Sequence, residues 1–263
     1  MAHHHTIRGQ ALGIGLGALA LALLGPVSTA GAAAALDPGV APGGNFNLSV
    51  WELQEPTGSP GSPTTITPSR LEGANGYQDS YFYTNKSDGS MEFWDPENGV
   101  TTPNSNYSRS ELREMNSNGS SAAWSLPGTH TLSASVKVTK VPDHVCVGQV
   151  HAIDPRTTKP LAELYYHSNG QIAIGIENGP SGGQTAHTVG GVPLGQQFSY
   201  VIQITGGNTI SVTINGSKHS FAIPSSWNGY QQYFKAGDYD QSSGSSSTVG
   251  ALVQFYSLTV KHS

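Results

Sequence analysis

The sequence predicts an all-β fold, an antiparallel sandwich or jelly roll, and three observations predict it. Apolar and polar residues alternate with period two in one segment after another. Turn pairs such as Gly206-Gly207 and Asn215-Gly216 separate those segments where hairpins should reverse. Beyond the first 36 residues, no stretch keeps apolar residues at helical spacing for more than two turns. Large jelly rolls curve, and a concave sheet makes a groove for an extended polymer.

Residues 1–36 stand apart. Arg8 is their one formal charge, and it precedes the apolar run 11–24, ALGIGLGALALALL, after which come Pro26 and a zone of small residues. A cationic start, a short apolar core and a small-residue cleavage zone predict a cleaved secretory signal peptide and a secreted chain. The run is shorter than the ~20 residues a membrane-spanning helix needs. No Arg-Arg pair marks a twin-arginine route. Loss of Arg8 takes the net charge from −5 to −6.

Residues 37–263 read as a single domain. The Pro/Gly cluster at 56–63, PTGSPGSP, leaves only about 20 residues between it and the signal, too few for a second core. Charged residues make up 11% of the chain, against roughly 25% in an average soluble protein. An acidic balance with no basic run excludes nucleic acid and anionic membranes as partners, and a monomer is expected. One cysteine closes no internal disulfide. The alternating segments then follow in order at 107–115, 131–140, 144–153, 171–177, 198–205, 209–214, 233–241 and 251–260. A polar run at 242–247, SSGSSS, reads as a surface loop able to border a groove.

Three of these strands carry polar groups inside the pattern. In 107–115, YSRSELREM, period two puts Arg109, Glu111 and Arg113 on one face. Two guanidiniums flanking a carboxylate orient one another and leave donors for an anionic ligand; the same pattern also suits a solvated surface ladder. In 147–153, VGQVHAI, Gln149 and His151 share a face, an amide donor beside a general base or simply a satisfied histidine. Cys146 falls on the opposite parity from His151, which predicts a buried, inert thiol. In 233–241, YFKAGDYDQ, Tyr233, Lys235, Gly237, Tyr239 and Gln241 share a parity, as in a sugar-binding strip or an exposed edge strand. Taken singly, none of the three decides the function.

Together, RSELRE at 109–114, QVH at 149–151 and YFKAGDYDQ at 233–241 resemble polysaccharide lyase family seven, the alginate lyases. The stretch 93–107, FWDPENGVTTPNSNY, resembles that family's approach to its first motif. The resemblance spans most of the chain and implies a concanavalin-like jelly roll with a cleft on its concave sheet. It also implies β-elimination on alginate, a polyuronate. The base removes the proton at C5, the O4 glycosidic oxygen leaves, and a C4=C5 double bond remains. The C5 proton becomes removable once donors neutralise the adjacent carboxylate. By the family pattern Arg109 and Gln149 are those donors and Tyr239 is the acid at O4. His151 or Tyr239 is the base, depending on the sugar. Mannuronate presents proton and leaving oxygen on one face, so one tyrosine can serve both; guluronate presents them on opposite faces. Asn104, Arg113, Lys235, Tyr233 and Gln241 would bind neighbouring uronates, and Glu111 would hold the two arginines in register. Val150, in the middle of QVH, leans toward mannuronate by resemblance; a guluronate-preferring or bifunctional lyase is the alternative. Endolytic cutting is expected.

Rival classes are weaker. A glycoside hydrolase needs two carboxylates across the bond, and no strand shows a paired-acid pattern. A non-catalytic carbohydrate-binding module would need the Tyr and Arg strip but not His151 beside Gln149. No H-E-x-x-H or Cys cluster suggests a metal, and the elimination needs no cofactor. Clustered cations are expected to lower the Tyr239 pKa from ~10, giving activity that rises from neutral to mildly alkaline pH.

Overall fold

A single helical turn at Pro42–Asn45 leads into β1 (Trp51–Ser59) and β2 (Ser62–Ile66). A second turn at Pro68–Leu71 precedes β3 (Phe82–Thr84) and β4 (Met91–Pro96). Then come β5 (Ser110–Glu114), β6 (Trp124–Ser125), β7 (Thr129–Lys140) and β8 (His144–Ala152). Strands β9 (Pro160–His167), β10 (Gln171–Glu177), β11 (Gln184–Gly191) and β12 (Phe198–Thr205) follow. The chain closes with β13 (Thr209–Ile214), β14 (Ser217–Ala222), β15 (Gln231–Asp240) and β16 (Gly250–His262). This computed structural model describes Met1 and residues 35–263. The expected signal peptide lies, up to residue 34, outside the described residues.

The strands form two antiparallel sheets, as the alternation predicts. One runs β11-β10-β9-β8-β15-β5-β1-β2, with β6 added beside β15; the other runs β14-β13-β12-β7-β16-β4-β3. Neighbours in sequence pair as hairpins over β8–β11 and β12–β14. The last two strands behave differently. β15 enters the first sheet between β5 and β8, and β16 enters the second between β4 and β7. Residues far apart in the chain therefore become side-by-side neighbours at the centre of the first sheet.

The core fills the space between the sheets, with Leu112, Val147, Val150, Phe234 and Ala236 from the first meeting Val136, Tyr200, Ile202, Val253 and Phe255 from the second. Strand β7 alternates buried and half-buried along most of its length, as a strand with one wet face should. The central strands β5, β8 and β15 are buried on both faces. One face is closed by the core, the other by the polar groups described below.

Turn chemistry places the hairpins. Asn215 (φ 47°) and Gly216 (φ 86°) take the left-handed conformations that a two-residue hairpin turn needs. The Pro/Gly cluster at 56–63 is the tip of the β1–β2 hairpin. Gly237 has a different reason to be glycine. A Cβ there would stand 2.7 Å from the Glu111 Cα and 2.7 Å from the Ser110 carbonyl oxygen, so only glycine lets β15 lie this close to β5. A bulge between Ala236 and Tyr239 sits at the same place.

A second bulge, between Cys146 and Gly148 against β9, changes one expectation. It reverses the parity of β8, so that Val145 and Val147 face the core on one side of it and Val150 and Ala152 on the other. Cys146 pairs with Tyr239 and Tyr165 and shares the cleft-side face with Gln149 and His151, contrary to the simple count. It is nevertheless fully buried, and burial pushes its thiol well above the ordinary range. The thiol is buried, as expected, though on the cleft-side face rather than the core side.

Candidate active site

The first sheet carries a cleft of about 580 Å³. Its lining includes Arg109, Gln149, His151, Tyr239, Asn104, Arg113, Tyr233, Lys235 and Gln241. Glu111, the remaining predicted residue, lies fully buried beneath them and supports the floor. The register explains the assembly. Lys235 is cross-strand to Arg113 on one side and to Gln149 on the other, while Tyr233 is opposite His151 and Gly237 opposite Glu111. Directly paired residues point to the same face, so three distant motifs meet on one surface.

Glu111 is the hub. Its Oε1 accepts from Gln149 Nε2 at 2.6 Å, and its Oε2 faces Lys235 Nζ at 2.5 Å and Arg109 Nη1 at 3.5 Å. Two buried cations around one buried carboxylate leave a net positive charge facing the cleft, which suits a polyanion. The expectation that Glu111 holds both arginines is corrected here. Arg113 turns away, its Nη1 3.3 Å from the Met115 sulfur and its guanidinium stacked 4.2 Å from the Tyr233 ring centroid. Lys235 takes the place assigned to Arg113. Burial and the nearby Arg109 push the Lys235 ammonium down to about 8.

His151 has a defined tautomer. Its Nδ1 lies 2.9 Å from the Ala152 carbonyl oxygen, which can only accept, so Nδ1 carries the proton and Nε2 keeps a free lone pair. Burial, together with Lys235, Arg109 and Arg113, holds the imidazolium pKa down to about 3. The ring is half-buried at the cleft wall and neutral at physiological pH, the state a general base requires.

Tyr239 lies under Arg109, whose guanidinium carbon is 3.8 Å from the ring centroid. Its Oη is 2.9 Å from Ser105 Oγ. Burial raises the phenol pKa, and Arg109 and Ser105 pull the other way without prevailing. The expected lowering is therefore corrected. The cations act in the expected direction, but desolvation of the phenolate costs more, and Tyr239 rests as a protonated phenol.

Sequence reasoning missed several lining residues. Ser105 sits in the loop before β5 and touches both Arg109 and Tyr239. Glu52, Gln54 and Thr65 extend the lining toward β2, and Glu163, Glu177 and Thr157 toward β10. Glu163 is buried, accepting from the Tyr165 hydroxyl at 2.6 Å and the Gln184 amide at 2.9 Å. Only its standing as a lone charge inside the apolar run of β9 could have signalled it. The run 242–247 does not line the cleft; Gly244 and Ser246 hydrogen-bond to the backbone at Glu97 and Asn98. Among the described residues, no group of three or more His, Cys, Asp or Glu is arranged to hold a metal ion.

Comparison with known proteins was made against this geometry. The family model described as alginate lyase matches residues 46–262. An alginate lyase of Klebsiella pneumoniae is 30% identical, over 84% of this chain and 91% of that protein. Among solved structures, alginate lyase A1-II′, a member of polysaccharide lyase family 7, is 37% identical with a TM-score of 0.75, covering 85% of this chain and 99% of its own. A variant of A1-II′ in complex with substrate (GGMG) aligns with a TM-score of 0.75 at 36% identity, over 85% of this chain and 97% of that one. The alginate lyase from Pseudomonas aeruginosa is 34% identical with a TM-score of 0.75, covering 82% of this chain and 99% of its own.

Proposed function

The chain belongs to the alginate lyases, polysaccharide lyase family 7, and on that premise we propose that His151 and Tyr239 carry the proton transfers of its elimination reaction. The observation that carries this reading is the geometry of the pair in one cleft: an imidazole whose Nδ1 is tied to the Ala152 carbonyl so that Nε2 is free, and a phenol held between Arg109 and Ser105, with burial favouring the neutral form of both.

Arg109 and Gln149 donate to the C5 carboxylate of the bound uronate, so negative charge developing at C5 moves into fixed hydrogen bonds. Glu111 sets the aim of both. For guluronate, His151 Nε2 takes the C5 proton while Tyr239 gives its proton to O4 from the opposite face. The electron pair of the C5–H bond forms the C4=C5 double bond, and the glycosidic oxygen leaves with the tyrosine's proton. For mannuronate, ionised Tyr239 takes the proton from C5 and returns it to O4. Only the mannuronate route must first ionise a buried phenol. Mannuronate cleavage therefore climbs with pH more steeply than guluronate cleavage.

Asn104, Arg113, Lys235, Tyr233 and Gln241 bind the flanking uronates. The lining crosses seven strands from Thr65 on β2 to Glu177 on β10, a span of roughly 30 Å at the usual strand spacing. A groove of that length supports endolytic cutting. A second reading, mannuronate preference, has Val150 in its favour; that side chain is buried in the core, so it acts on the cleft only through Gln149 and His151. The chain is read as a monomer exported by its N-terminal signal.

The test is far-ultraviolet absorbance on mixing the protein with purified polymannuronate or polyguluronate, since the enuronate double bond absorbs and intact alginate does not. His151→Ala should abolish the rise on polyguluronate and Tyr239→Phe on both. Turnover of polyguluronate unchanged in His151→Ala would remove the imidazole from the mechanism.

A further inference from the structure

The hydroxyl of Ser105 has more neighbours than it can serve. Ser105 Oγ lies 2.7 Å from the Tyr107 carbonyl oxygen, 3.1 Å from the Tyr107 backbone nitrogen, 3.2 Å from Arg109 Nη2 and 2.9 Å from Tyr239 Oη. A serine hydroxyl offers one proton and two lone pairs. The Tyr107 N–H and the Arg109 guanidinium are obligate donors and occupy both lone pairs. The single proton is left with two claimants, the Tyr107 carbonyl and the Tyr239 oxygen.

Each choice corresponds to one state of the phenol. When the proton points at the carbonyl, Ser105 has nothing left to give or accept, and the phenol's own proton is free to point into the cleft, ready for O4. When Tyr239 is ionised, its oxygen can only accept. The serine proton then turns to it, giving a charge-assisted hydrogen bond in place of a neutral one. Arg109 stays put through the change, stacked on the Tyr239 ring and bonded to the serine oxygen. The rearrangement is a rotation of one O–H bond, with no covalent bond formed or broken.

Resting on the proposed role of Tyr239, we infer that Ser105 is a positioning residue whose hydroxyl turns from the Tyr107 carbonyl to the Tyr239 oxygen as the phenol ionises, so that one tyrosine serves as acid and as base. The serine supports the mannuronate route, which needs the phenolate, and leaves the guluronate route, which needs only the phenol, nearly untouched. Ser105 also reduces the effect of burial on the phenol in the direction this switch requires.

The experiment compares the wild type with Ser105→Ala and Ser105→Thr. In protein carrying ζ-carbon-labelled tyrosine, the Tyr239 resonance is assigned by its absence in Tyr239→Phe and followed by NMR as pH rises. Its titration should move upward by about one pH unit in Ser105→Ala and return in Ser105→Thr, the size expected for losing one hydrogen bond to a charge. On polymannuronate, kcat should fall about tenfold with KM little changed, and on polyguluronate less than about twofold. A Tyr239 titration unmoved in Ser105→Ala overturns the inference whatever the kinetics show. Equal losses on both polymers overturn it as well, since they mark a merely structural serine. A wild type that releases no enuronate from either polymer would instead count against the lyase reading, and the NMR titration would still decide the serine's role.

Discussion

Glu111 and Glu114 lie on the same strand, β5, both buried, and they face opposite sides of the sheet. Glu111 gathers Gln149, Lys235 and Arg109 under the cleft. Glu114 gathers His262 Nε2 at 2.6 Å, Trp124 Nε1 at 2.9 Å and the Phe234 backbone N–H at 2.8 Å. The donors differ in what else they do. Those of Glu111 present their remaining protons to the cleft, so the carboxylate aims groups that bind substrate. Those of Glu114 are spent on holding β6, β15 and β16 together. His262 continues into His130, with the two Nδ1 atoms 2.8 Å apart and His130 Nε2 3.2 Å from the Pro127 carbonyl. Both Nε2 atoms face acceptors, so the two rings form a chain from Glu114 to the Pro127 carbonyl. One carboxylate organises chemistry and the other fastens the last strand of the second sheet to the first.

The largest effect is expected where that division is broken on the cleft side. Glu111→Ala leaves Lys235 and Arg109 buried without their counter-ion and frees Gln149. It should lower kcat/KM by about a thousandfold and stability by about 3–5 kcal/mol. Glu111→Gln keeps the shape but not the charge and should recover most of the stability and little of the activity. Steady-state kinetics and denaturant unfolding on the same samples measure both. If Glu111→Ala retained near-normal kcat/KM, the hub role would be lost.

On the other face the ordering should reverse. Glu114→Ala strands the His262 ring, an indole N–H and a backbone N–H, and should cost about 3–5 kcal/mol of stability. The cleft donors do not touch Glu114, so kcat/KM of the folded variant should stay within about threefold of wild type. A drop in kcat/KM as large as that of Glu111→Ala would mean that the two faces are not separable.

The same contrast explains what was legible in the sequence. Strands with a period-two sequence pattern showed themselves by alternation: 171–177, 198–205 and 209–214 are strands over those residues. β9 did not, because Leu161–Tyr166 is buried on both sides and loses its period. β11 and β14 are polar edge strands with little apolar signal. The cleft-face residues of β5, β8 and β15 were legible because charge inside a strand is unusual and a motif is contiguous. Ser105 and the Lys235–Glu111 pairing were not, because they depend on register between strands more than 100 residues apart. Cys146 was placed on the wrong face because a bulge has no reliable sequence mark. The Glu114 clasp joins residues from opposite ends of the domain, which no local pattern encodes.

A smaller effect, of opposite sign, is expected from a third carboxylate on the core face. Asp238 pairs in register with Ser110, and neither of its carboxylate oxygens has a hydrogen-bond partner. Asp95, from the other sheet, accepts from the Ser108 hydroxyl and the Asp240 backbone N–H. Burial, then the nearby Asp95, Asp240 and Glu111, raise the Asp238 pKa well above the usual carboxylate range. In the unfolded chain the same group ionises near ~4. Between that pH and its folded pKa, the folded state holds a proton that the unfolded state releases, so this group's contribution to stability falls as pH rises. Asp238→Asn removes the ionisation and nearly preserves the volume. It should raise stability by about 1–2 kcal/mol at neutral pH and by nothing below about pH 4, with kcat unchanged. Thermal unfolding of both proteins across that range reads the difference directly. A variant less stable at every pH would show that the carboxylate holds a partner, and that the core face, like the cleft face, uses its charge.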